Sequence, residues 1–512
     1  MKMALLSPYE NITNLGTRGL SSYIKAAGHQ SKLIFAPIGV LDGGHYSYLY
    51  KLETIEEILG HLEDVDLVGM SVMTHHFQAA VQLTDAIHER LGKTVLWGGI
   101  HPTARPEESI EHADIICRGE GEIALLDLLD RMERDEDLTA TQNFWFRRDG
   151  EVHQNPSRPL IQDLDSLPFM DYSCDEHYYI DDASSSTTQM THENLKEYLQ
   201  VVGGRVAYRT VASRGCPHNC SYCCHNVLRR IYTDRTRYVR FRSPENIMAE
   251  LTQIKEAMGY VRFIIFMDEV FLLSSKETIR EFSDLYKERI GDPFRIQLSP
   301  PSIDEEKLGM LVDAGCKVVG MGIESGSKDT QDLYERGFGK NEKVIRGANI
   351  IHKFHEKVPF IIYDIIVDNP YESPENVAET FRLLMRLPRP YQINLFSLTF
   401  FPGTDLYTRA IKDGYVREEI GDIYQKMISS IRRNYVNTIL KLTNLQVTPT
   451  FLLRPLGHPW MVRVMNRAPE KVVVLLEKSY MLIEKVLAFG RRRGDLIPSL
   501  GIRSTTPITP EE

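Results

Sequence analysis

The stretch Cys216-Pro-His-Asn-Cys220-Ser-Tyr-Cys223 carries the strongest signal in this sequence. Its C-x3-C-x2-C spacing places three thiolates in one loop, where they can converge on a single metal centre. Thiolates are soft ligands that suit a [4Fe–4S] cluster, and a cluster held by three of them keeps one iron open for another ligand. A structural zinc site is the alternative, with Cys224 or His225 as the fourth ligand.

Apolar segments alternate with amphipathic stretches around and beyond this loop, over residues 205–419. This alternation predicts βα units and a parallel sheet. Six such units predict a partial or complete TIM-type barrel. The predicted strands are Val206–Ser213, Phe263–Met267, Arg295–Leu298, Val318–Ile323, Phe360–Val367 and Gln392–Phe400.

Residues 1–140 show the same alternation on a smaller scale. They predict a doubly wound domain, Rossmann-like or flavodoxin-like, with its ligand beyond the carboxyl ends of the strands. The predicted strands are Met3–Leu6, Lys32–Ala36, Asp66–Val72, Thr94–Trp97 and Ile115–Cys117.

The remaining residues lack this strand–helix alternation. Residues 141–204 have no strong period and are interpreted as a connecting segment with a mobile insertion at Ser184–Thr191. Residues 420–512 predict a helical region with basic clusters that ends in a tail at Ile497–Glu512. The fold class expected is therefore α/β, with a doubly wound domain, a partial (βα)6 barrel and a C-terminal helical region.

Composition limits the class of protein. The chain has 512 residues, 42% of them apolar and 25% charged, with a net charge of −10. This acidic balance gives no reason to expect a nucleic-acid partner. The N-terminus lacks the apolar region of a signal peptide, and the charged residues within Lys471–Phe489, which include Glu477, Lys478, Glu484 and Lys485, argue against a membrane span. Seven cysteines are too few for a secreted disulfide framework, so a reduced, cytoplasmic location is expected.

The cysteine spacing, with the aromatic Tyr222 before its last cysteine, resembles the radical S-adenosylmethionine (SAM) enzymes. The resemblance implies that Cys216, Cys220 and Cys223 hold a [4Fe–4S] cluster whose open iron takes SAM. It also implies an electron donor such as flavodoxin or ferredoxin. It implies that SAM is bound by Tyr222 in the cysteine loop and by Asp268 and Glu269 after the second predicted strand. It also implies Glu324 and Ser325, after the fourth predicted strand, as SAM-binding residues.

The residues after the N-terminal strands resemble the cobalamin-binding domain found ahead of many radical SAM domains. The similar strings are Gly98-Gly99-Ile-His101-Pro-Thr103 and Arg118-Gly-Glu-Gly-Glu122. The resemblance implies a cobalamin site formed by Ser71, Thr74, Gly98, Gly99 and His101. A flavodoxin-like domain without this ligand is the alternative.

One departure concerns the cobalt ligand. Classical cobalamin domains carry D-x-H-x-x-G after the first strand, and the corresponding loop here, Ser7–Gly16, has neither Asp nor His. His75 or His76 is an alternative cobalt ligand, although a capping or surface role is the more ordinary interpretation of both.

The fifth predicted strand of the barrel carries the candidate catalytic residues. Tyr363, Asp364 and Asp368 are expected to face the lumen, where an acid can orient a substrate or act as a base. Asp364 and Asp368 share one face of the strand because side chains alternate with a period of two. A structural carboxylate with satisfied hydrogen bonds is the alternative.

The resemblance implies a cobalamin-dependent radical SAM enzyme that most often methylates an unactivated carbon. A radical cyclase or rearrangement enzyme is the second interpretation, and a non-catalytic cobalamin or cluster sensor is the third. The sensor would use basic C-terminal clusters such as Arg432-Arg433 and Arg491–Arg493 to contact a partner. The sequence does not name the substrate, which can be a small molecule or a peptide.

Overall fold

Two sheets of mainly parallel strands organise the computed structural model of this chain, which describes residues 1–9, 11–38, 47–336 and 340–489. The first sheet has nine strands. They are β1 (Lys2–Ser7), β2 (Gln30–Phe35), β3 (Leu67–Ser71), β4 (Val95–Gly98), β5 (Ile115–Cys117), β6 (Phe144–Arg148), β7 (Glu151–Gln154), β8 (His177–Asp181) and β9 (Ser186–Gln189).

The centre of this sheet is a parallel, doubly wound core. The strand order is β7-β6-β5-β4-β3-β1-β2-β8-β9, and β1 to β5 pair in parallel. Leu5 on β1 lies opposite Leu33 on β2 and Gly69 on β3, with side chains buried between layers of helices. The five strands predicted for residues 1–140 are therefore all present, because strands buried on both faces read as short apolar runs.

The segment 141–204 is more than a connection. Its strands β6 and β7 extend one edge of the sheet in antiparallel fashion. At the other edge β8 pairs in parallel with β2, and β9 pairs antiparallel with β8. The structure thus corrects the interpretation of Ser184–Thr191 as a mobile insertion, since Ser186–Gln189 is strand β9.

The second sheet forms the predicted partial barrel. Its strands are β10 (Val201–Val202), β11 (Arg205–Thr210), β14 (Val261–Phe266), β15 (Phe294–Leu298), β16 (Cys316–Glu324), β17 (Phe360–Val367) and β18 (Gln392–Ser397), in that order across the sheet. The six strands from β11 to β18 are all parallel, which confirms the (βα)6 prediction. A separate short pair, β12 (Ser213–Arg214) with β13 (Arg240–Phe241), lies next to the cysteine loop.

Helices cover both sheets. Those of the N-terminal region are α1 (Leu15–Ala26), α2 (Leu52–Gly60), α3 (Phe77–Leu91), α4 (Ile100–Ala104), α5 (Pro106–Ile110) and α6 (Glu122–Glu133). Those of the barrel are α7 (Cys224–Leu228), α8 (Pro244–Ala257), α9 (Lys276–Arg289), α10 (Glu305–Asp313), α11 (Lys328–Leu333), α12 (Asn341–His352), α13 (Pro374–Leu384) and α14 (Asp405–Lys412).

Two barrel helices begin with the same four residues, Ser-Pro-Glu-Asn. Ser243 accepts a hydrogen bond from the backbone N–H of Asn246 at the start of α8. Ser373 accepts the equivalent bond from Asn376 at the start of α13. Proline at the first helical position and a serine cap before it together fix where each helix begins.

A helical region follows the barrel, as predicted. After a π-helical turn at Ile420–Tyr424 it contains α15 (Tyr435–Leu442), α16 (Thr450–Leu453), α17 (Pro459–Met465) and α18 (Glu470–Phe489). None of the helices in the described ranges is long and apolar enough to cross a membrane. The predicted tail and Arg491–Arg493 lie outside the described residues.

Candidate functional site

The three cysteines lie in the loop between β12 and α7. Cys216 and Cys220 are buried and Cys223 is half-buried. The loop enters through Gly215 (φ +96°), where a Cβ atom would lie 2.3 Å from the carbonyl oxygen of Tyr238. The loop then folds back, with the N–H of Cys223 donating to the carbonyl of Cys220 at 3.1 Å. The thiols are close enough for Cys220 and Cys223 to help raise the pKa of Cys216, after the larger effect of burial.

Arg336 connects this loop to the end of β16. Its Nη1 lies 3.6 Å from the Sγ of Cys220 and donates to the hydroxyl of Tyr222 at 3.1 Å. Its Nη2 donates to the carbonyl of Gly322 at 2.5 Å and lies 3.7 Å from Glu324 Oε1. Burial raises the pKa of Glu324 to about 7, against the opposing effect of Arg336. Tyr222 and Glu324, predicted separately as SAM-binding residues, are thus brought together by a buried arginine.

Gly322 makes the space for this contact. A Cβ atom there would lie 2.6 Å from Glu324 Oε1 and 3.1 Å from Arg336 Nη2. Arg336 was not predicted from the sequence. Its position shortly after Glu324 and Ser325, beyond the short helix α11, is the one signal that points to it.

The other predicted SAM residues have different surroundings. Ser325 is buried against α13, where its hydroxyl contacts Glu372 and Thr380 at 3.2 Å each. Asp268 is also buried and accepts hydrogen bonds from the backbone N–H of Ala212 and from the Ser213 hydroxyl. Burial raises the pKa of Asp268 to about 6.

Glu269 lies nearer the cysteine loop than Asp268 does. Its Oε1 is 3.2 Å from the Nε2 of His225, just beyond the last cysteine. It is close enough to Cys216 to help raise the pKa of that thiol. Of the acidic pair, Asp268 therefore holds the backbone after β11, and Glu269 borders the candidate cluster site.

A polar group lies on the concave face of the barrel. Asp364 accepts hydrogen bonds from Gln297 Nε2 at 2.8 Å and Asn394 Nδ2 at 2.9 Å. Burial raises the pKa of Asp364, and these two bonds partly offset that effect. Gly320 on β16 leaves the room that the Gln297 side chain occupies, since a Cβ there would overlap it.

The prediction that Tyr363 faces the lumen is wrong. Side chains alternate along β17, so Tyr363 points the opposite way from Asp364. It is fully buried in the core between sheet and helices, with its ring centroid 5.1 Å from that of Tyr391. Asp368 does not face the lumen either, because it accepts hydrogen bonds from the Arg432 N–H and the Asn437 side chain.

The predicted cobalamin region contains a cavity of about 380 Å³ at the carboxyl ends of β1, β3, β4 and β5. Ser71, Gly98 and Gly99 line it. Gly99 has φ +103°, and a Cβ atom there would lie 2.9 Å from the carbonyl oxygen of Val72. The opposite wall comes from the barrel and includes Arg214, two residues before Cys216. The cavity therefore reaches from the first sheet to the edge of the cysteine loop.

Thr74 and His101 are placed differently from the other three residues of this set. Both are buried, and they contact each other through Oγ1 and Nδ1 at 3.3 Å. Burial lowers the pKa of His101 to about 3, which keeps its imidazole neutral. They support the loops after β3 and β4 from within.

The two candidate cobalt-binding histidines also have protein contacts. His75 Nε2 donates to the carbonyl oxygen of Lys426 at 2.6 Å. His76 is buried with its ring 5.1 Å from that of Tyr9, and burial lowers its pKa to about 3. The surface role considered for His76 is therefore excluded.

The residues Arg118–Glu122 join the two αβ regions. Glu120 pairs with Arg240 at 2.8 Å, and Glu122 pairs with Arg214 at 2.6 Å. The N–H of Glu120 donates to the Tyr232 hydroxyl at 3.0 Å. These contacts fix the first sheet against the segments that flank the cysteine loop.

Comparison with known proteins agrees with this arrangement. The family model described as the B12 binding domain matches residues 1–129, and that of the radical SAM superfamily matches residues 210–384. The chain belongs to the radical SAM enzymes that carry a cobalamin-binding domain.

Curated relatives of this radical SAM enzyme include methyltransferases and a cyclase. An uncharacterized methyltransferase of Pyrococcus horikoshii is 26% identical over 68% of this chain and 70% of its own length. The bacteriochlorophyllide d C-8(2)-methyltransferase of Chlorobaculum tepidum is 25% identical over 74% of this chain and 75% of its own. The anaerobic magnesium-protoporphyrin IX monomethyl ester cyclase of Synechocystis is 29% identical, but over 42% of this chain and 38% of its own.

Two solved structures share the fold. The cobalamin-dependent radical SAM enzyme OxsB has a TM-score of 0.66 at 16% identity, covering 95% of this chain and 80% of its own. The methyltransferase TsrM of Kitasatospora setae has a TM-score of 0.61 at 16% identity, covering 80% of this chain and 76% of its own.

The residues present fit both cofactors. Three thiols gathered in one loop are the soft donor set that an iron–sulfur cluster requires. At the first sheet, Gly98 and Gly99 line the cavity with no side chain between their backbone and a ligand.

Proposed function

We propose that this enzyme transfers a methyl group to an unactivated carbon of an organic substrate. The observation that carries the proposal is the cavity at the first sheet, which extends to Arg214 beside the cysteine loop. When bound, the reduced cluster supplies the electron that cleaves SAM to a 5′-deoxyadenosyl radical, and methylcobalamin supplies the methyl group.

The chain's own residues hold the components in place. Cys216, Cys220 and Cys223 would ligate the cluster and leave one iron for the amine and carboxylate of SAM. Arg336 orients the loop and would offer positive charge to the SAM carboxylate. Tyr222, Glu269, Glu324 and Ser325, with Asp268 supporting the backbone, are the residues proposed for SAM.

The cobalamin site is proposed at the carboxyl end of the first sheet. Ser71 would donate a hydrogen bond to the ligand, and Gly98 and Gly99 would allow a ring to approach the backbone. Thr74 and His101 would keep the adjoining loops in position. The ion pairs of Glu120 and Glu122 with the barrel would hold this site against the lumen.

The barrel excludes water from the reacting atoms. Ile265, Val318 and Ile362 form a buried apolar cluster on the side of the sheet that also carries Asp364. A dry lumen protects a carbon-centred radical from competing hydrogen donors. Asp364, held by two amide donors, would orient a polar group of the substrate, which we propose to be a small molecule or a peptide.

The electron must come from outside the chain. A small redox protein such as flavodoxin or ferredoxin is the class of donor that we propose, in a reducing cytoplasm.

A radical cyclase is the second candidate function, favoured by the similarity to the magnesium-protoporphyrin cyclase. A second cyclase of this kind, from Rubrivivax gelatinosus, is similar over 82% of this chain, so the extent of similarity does not decide between the two functions.

A substrate-free experiment separates the two functions. The reconstituted enzyme is incubated anaerobically with SAM labelled as CD3 on its methyl group and a low-potential reductant. The proposal predicts CD3-labelled methylcobalamin together with S-adenosylhomocysteine. Formation of 5′-deoxyadenosine while the bound cobalamin stays unlabelled would contradict the methyl-transfer proposal and favour the cyclase.

A further inference from the structure

The C-terminal helices expose an apolar surface that the cofactor sites do not use. Five large apolar side chains in α16, α17 and α18 are between 61% and 68% exposed. They are Phe451, Trp460, Leu475, Leu482 and Val486. A group of large exposed apolar side chains in one region of the fold marks an interaction site.

Helix α18 places its exposed residues on one face. Val473 and the partly buried Leu476 and Tyr480 pack inward, and Glu484 binds the backbone N–H groups of Val447 and Thr448. The opposite face carries Leu475, Leu482 and Val486, spaced at seven and four residues, which keeps them on one stripe of a helix.

Helix α16 lies beside α18. The Tyr480 hydroxyl donates to the carbonyl of Leu452 at 2.9 Å, which holds α16 beside the middle of α18. Leu452 and Phe451 are both exposed at this junction. Helix α16 therefore adds two exposed apolar side chains to those of α18 in this part of the fold.

Basic side chains flank the apolar stripe. Lys471, Lys478 and Lys485 follow one another at seven-residue intervals and are all exposed. Residues 450–489 contain six Lys and Arg against three Glu, a net charge of +3 in a chain whose net charge is −10. Within the described ranges, none of these six cations takes part in an ion pair. Two of the three Glu residues in this segment have partners outside it. Glu484 accepts a hydrogen bond from the Val447 N–H, and Glu470 lies 3.8 Å from Arg433.

We infer that this surface, defined by α16, α17 and α18, docks on an anionic lipid bilayer. The exposed face of α18, with Leu475, Leu482 and Val486 at its centre and lysines along its flank, suits the plane between headgroups and acyl chains. Long lysine side chains can extend from that depth to the anionic headgroups. A second copy of the chain fits less well, because it would bring two segments of net charge +3 against each other.

Tryptophan fluorescence tests this docking directly. Trp97 and Trp145 are buried, and Trp460 is exposed, so a change on docking reports Trp460. The cofactor-loaded, full-length enzyme is mixed with vesicles of phosphatidylcholine alone or with one third phosphatidylglycerol. We expect co-sedimentation with the anionic vesicles and a blue shift of the emission, and we expect neither with phosphatidylcholine alone. Replacing Trp460 by Phe should remove the blue shift and keep the sedimentation.

Matched variants test which residues carry the binding. Leu475→Glu/Leu482→Glu/Val486→Glu should abolish co-sedimentation. Lys471→Ala/Lys478→Ala/Lys485→Ala should weaken it on the order of 100-fold, at about fivefold for each lysine. The control Leu49→Glu/Leu52→Glu/Val152→Glu adds the same charge at exposed apolar positions of the first domain and should bind like wild type.

Three results would overturn the inference. The first is wild-type enzyme that stays in the supernatant with anionic vesicles. The second is equal loss of binding in the Glu control, and the third is a dimer by light scattering that the α18 Glu variant dissociates. Unchanged iron and cobalamin content in every variant shows that the fold is intact. These readouts do not depend on methyl transfer, so they are separate from the proposed function.

Discussion

The guanidinium of Arg336 lies 3.6 Å from the sulfur of Cys220, although the two residues are 116 positions apart in the chain. The same guanidinium contacts Tyr222 and the carbonyl of Gly322. One buried cation therefore ties the cysteine loop to β16, the strand that ends at Glu324.

Arg336 should tune the reduction potential of the cluster. A cation that donates to a cysteine sulfur stabilises the more negative, reduced state. Arg336→Met should lower the midpoint potential by about 50–100 mV, the equivalent of one charge-assisted hydrogen bond. Redox titration followed by EPR measures this value. Arg336→Lys, which keeps the charge, should shift it less; equal potentials in all three proteins would contradict this role.

Filling the cavity at Gly98 should block cobalamin binding. A leucine there has space for its Cβ but places the rest of its side chain in the cavity. Gly98→Leu should lower the bound cobalamin more than tenfold and leave the iron content unchanged. Gly60→Leu is the control, since Gly60 is exposed with open space around its Cβ position. Full cobalamin occupancy in Gly98→Leu would place the cofactor elsewhere.

Removing the Tyr363 hydroxyl should stabilise the fold. This hydroxyl is buried and has no hydrogen-bond partner among the described residues. Leaving such a group unsatisfied costs about 1–3 kcal/mol. Tyr363→Phe should therefore raise the free energy of unfolding by about 1 kcal/mol in urea titration, with SAM cleavage unchanged. A loss of SAM cleavage would restore Tyr363 as a catalytic candidate.

His101 should make the first domain sensitive to acid. Its folded pKa is lowered to about 3 by burial, so the unfolded chain binds a proton first as the pH falls below about 6.5. The stability that neutral His101 contributes is present above about pH 6.5 and is lost as the pH falls toward 3. Between pH 7 and 5 the loss is about 2 kcal/mol.

The variant His101→Gln removes this titration. Urea unfolding of both proteins at pH 7 and pH 5 should show a smaller decrease in the variant, by about the same 2 kcal/mol. His76, which has a similarly lowered pKa, contributes to both proteins and cancels in the comparison. An identical pH dependence in the two proteins would show that the fold does not lower the pKa of His101.

The parts of the fold that are buried on both faces were predictable from sequence. Strand β17 was predicted with its observed bounds, Phe360–Val367, because its apolar run has no competing interpretation. The edge strands β7 to β9 were not, since β7 is fully exposed and β9 is polar. Such strands are defined by their pairing with a neighbour, which no local pattern encodes.

The candidate site was likewise predictable only where its sequence pattern is local. The cysteine spacing is local, and the loop forms as predicted. Tyr363 and Asp364 were both assigned to the lumen, although a period of two allows only one of them to face it. The helix layer that covers Tyr363 decides between them, and its position depends on residues distant in sequence. Arg336 was missed for the same reason.

The central claim is that one chain holds an iron–sulfur cluster and cobalamin at two neighbouring but separate sites. Iron, sulfide and cobalamin per chain, measured after anaerobic reconstitution with both cofactors, test it most directly. The claim predicts about four irons and one cobalamin in wild type. Cys216→Ala/Cys220→Ala/Cys223→Ala should lose the iron and keep the cobalamin, and Cys224→Ala should keep both. Iron without cobalamin in the wild-type chain would contradict the claim and end the methylcobalamin mechanism.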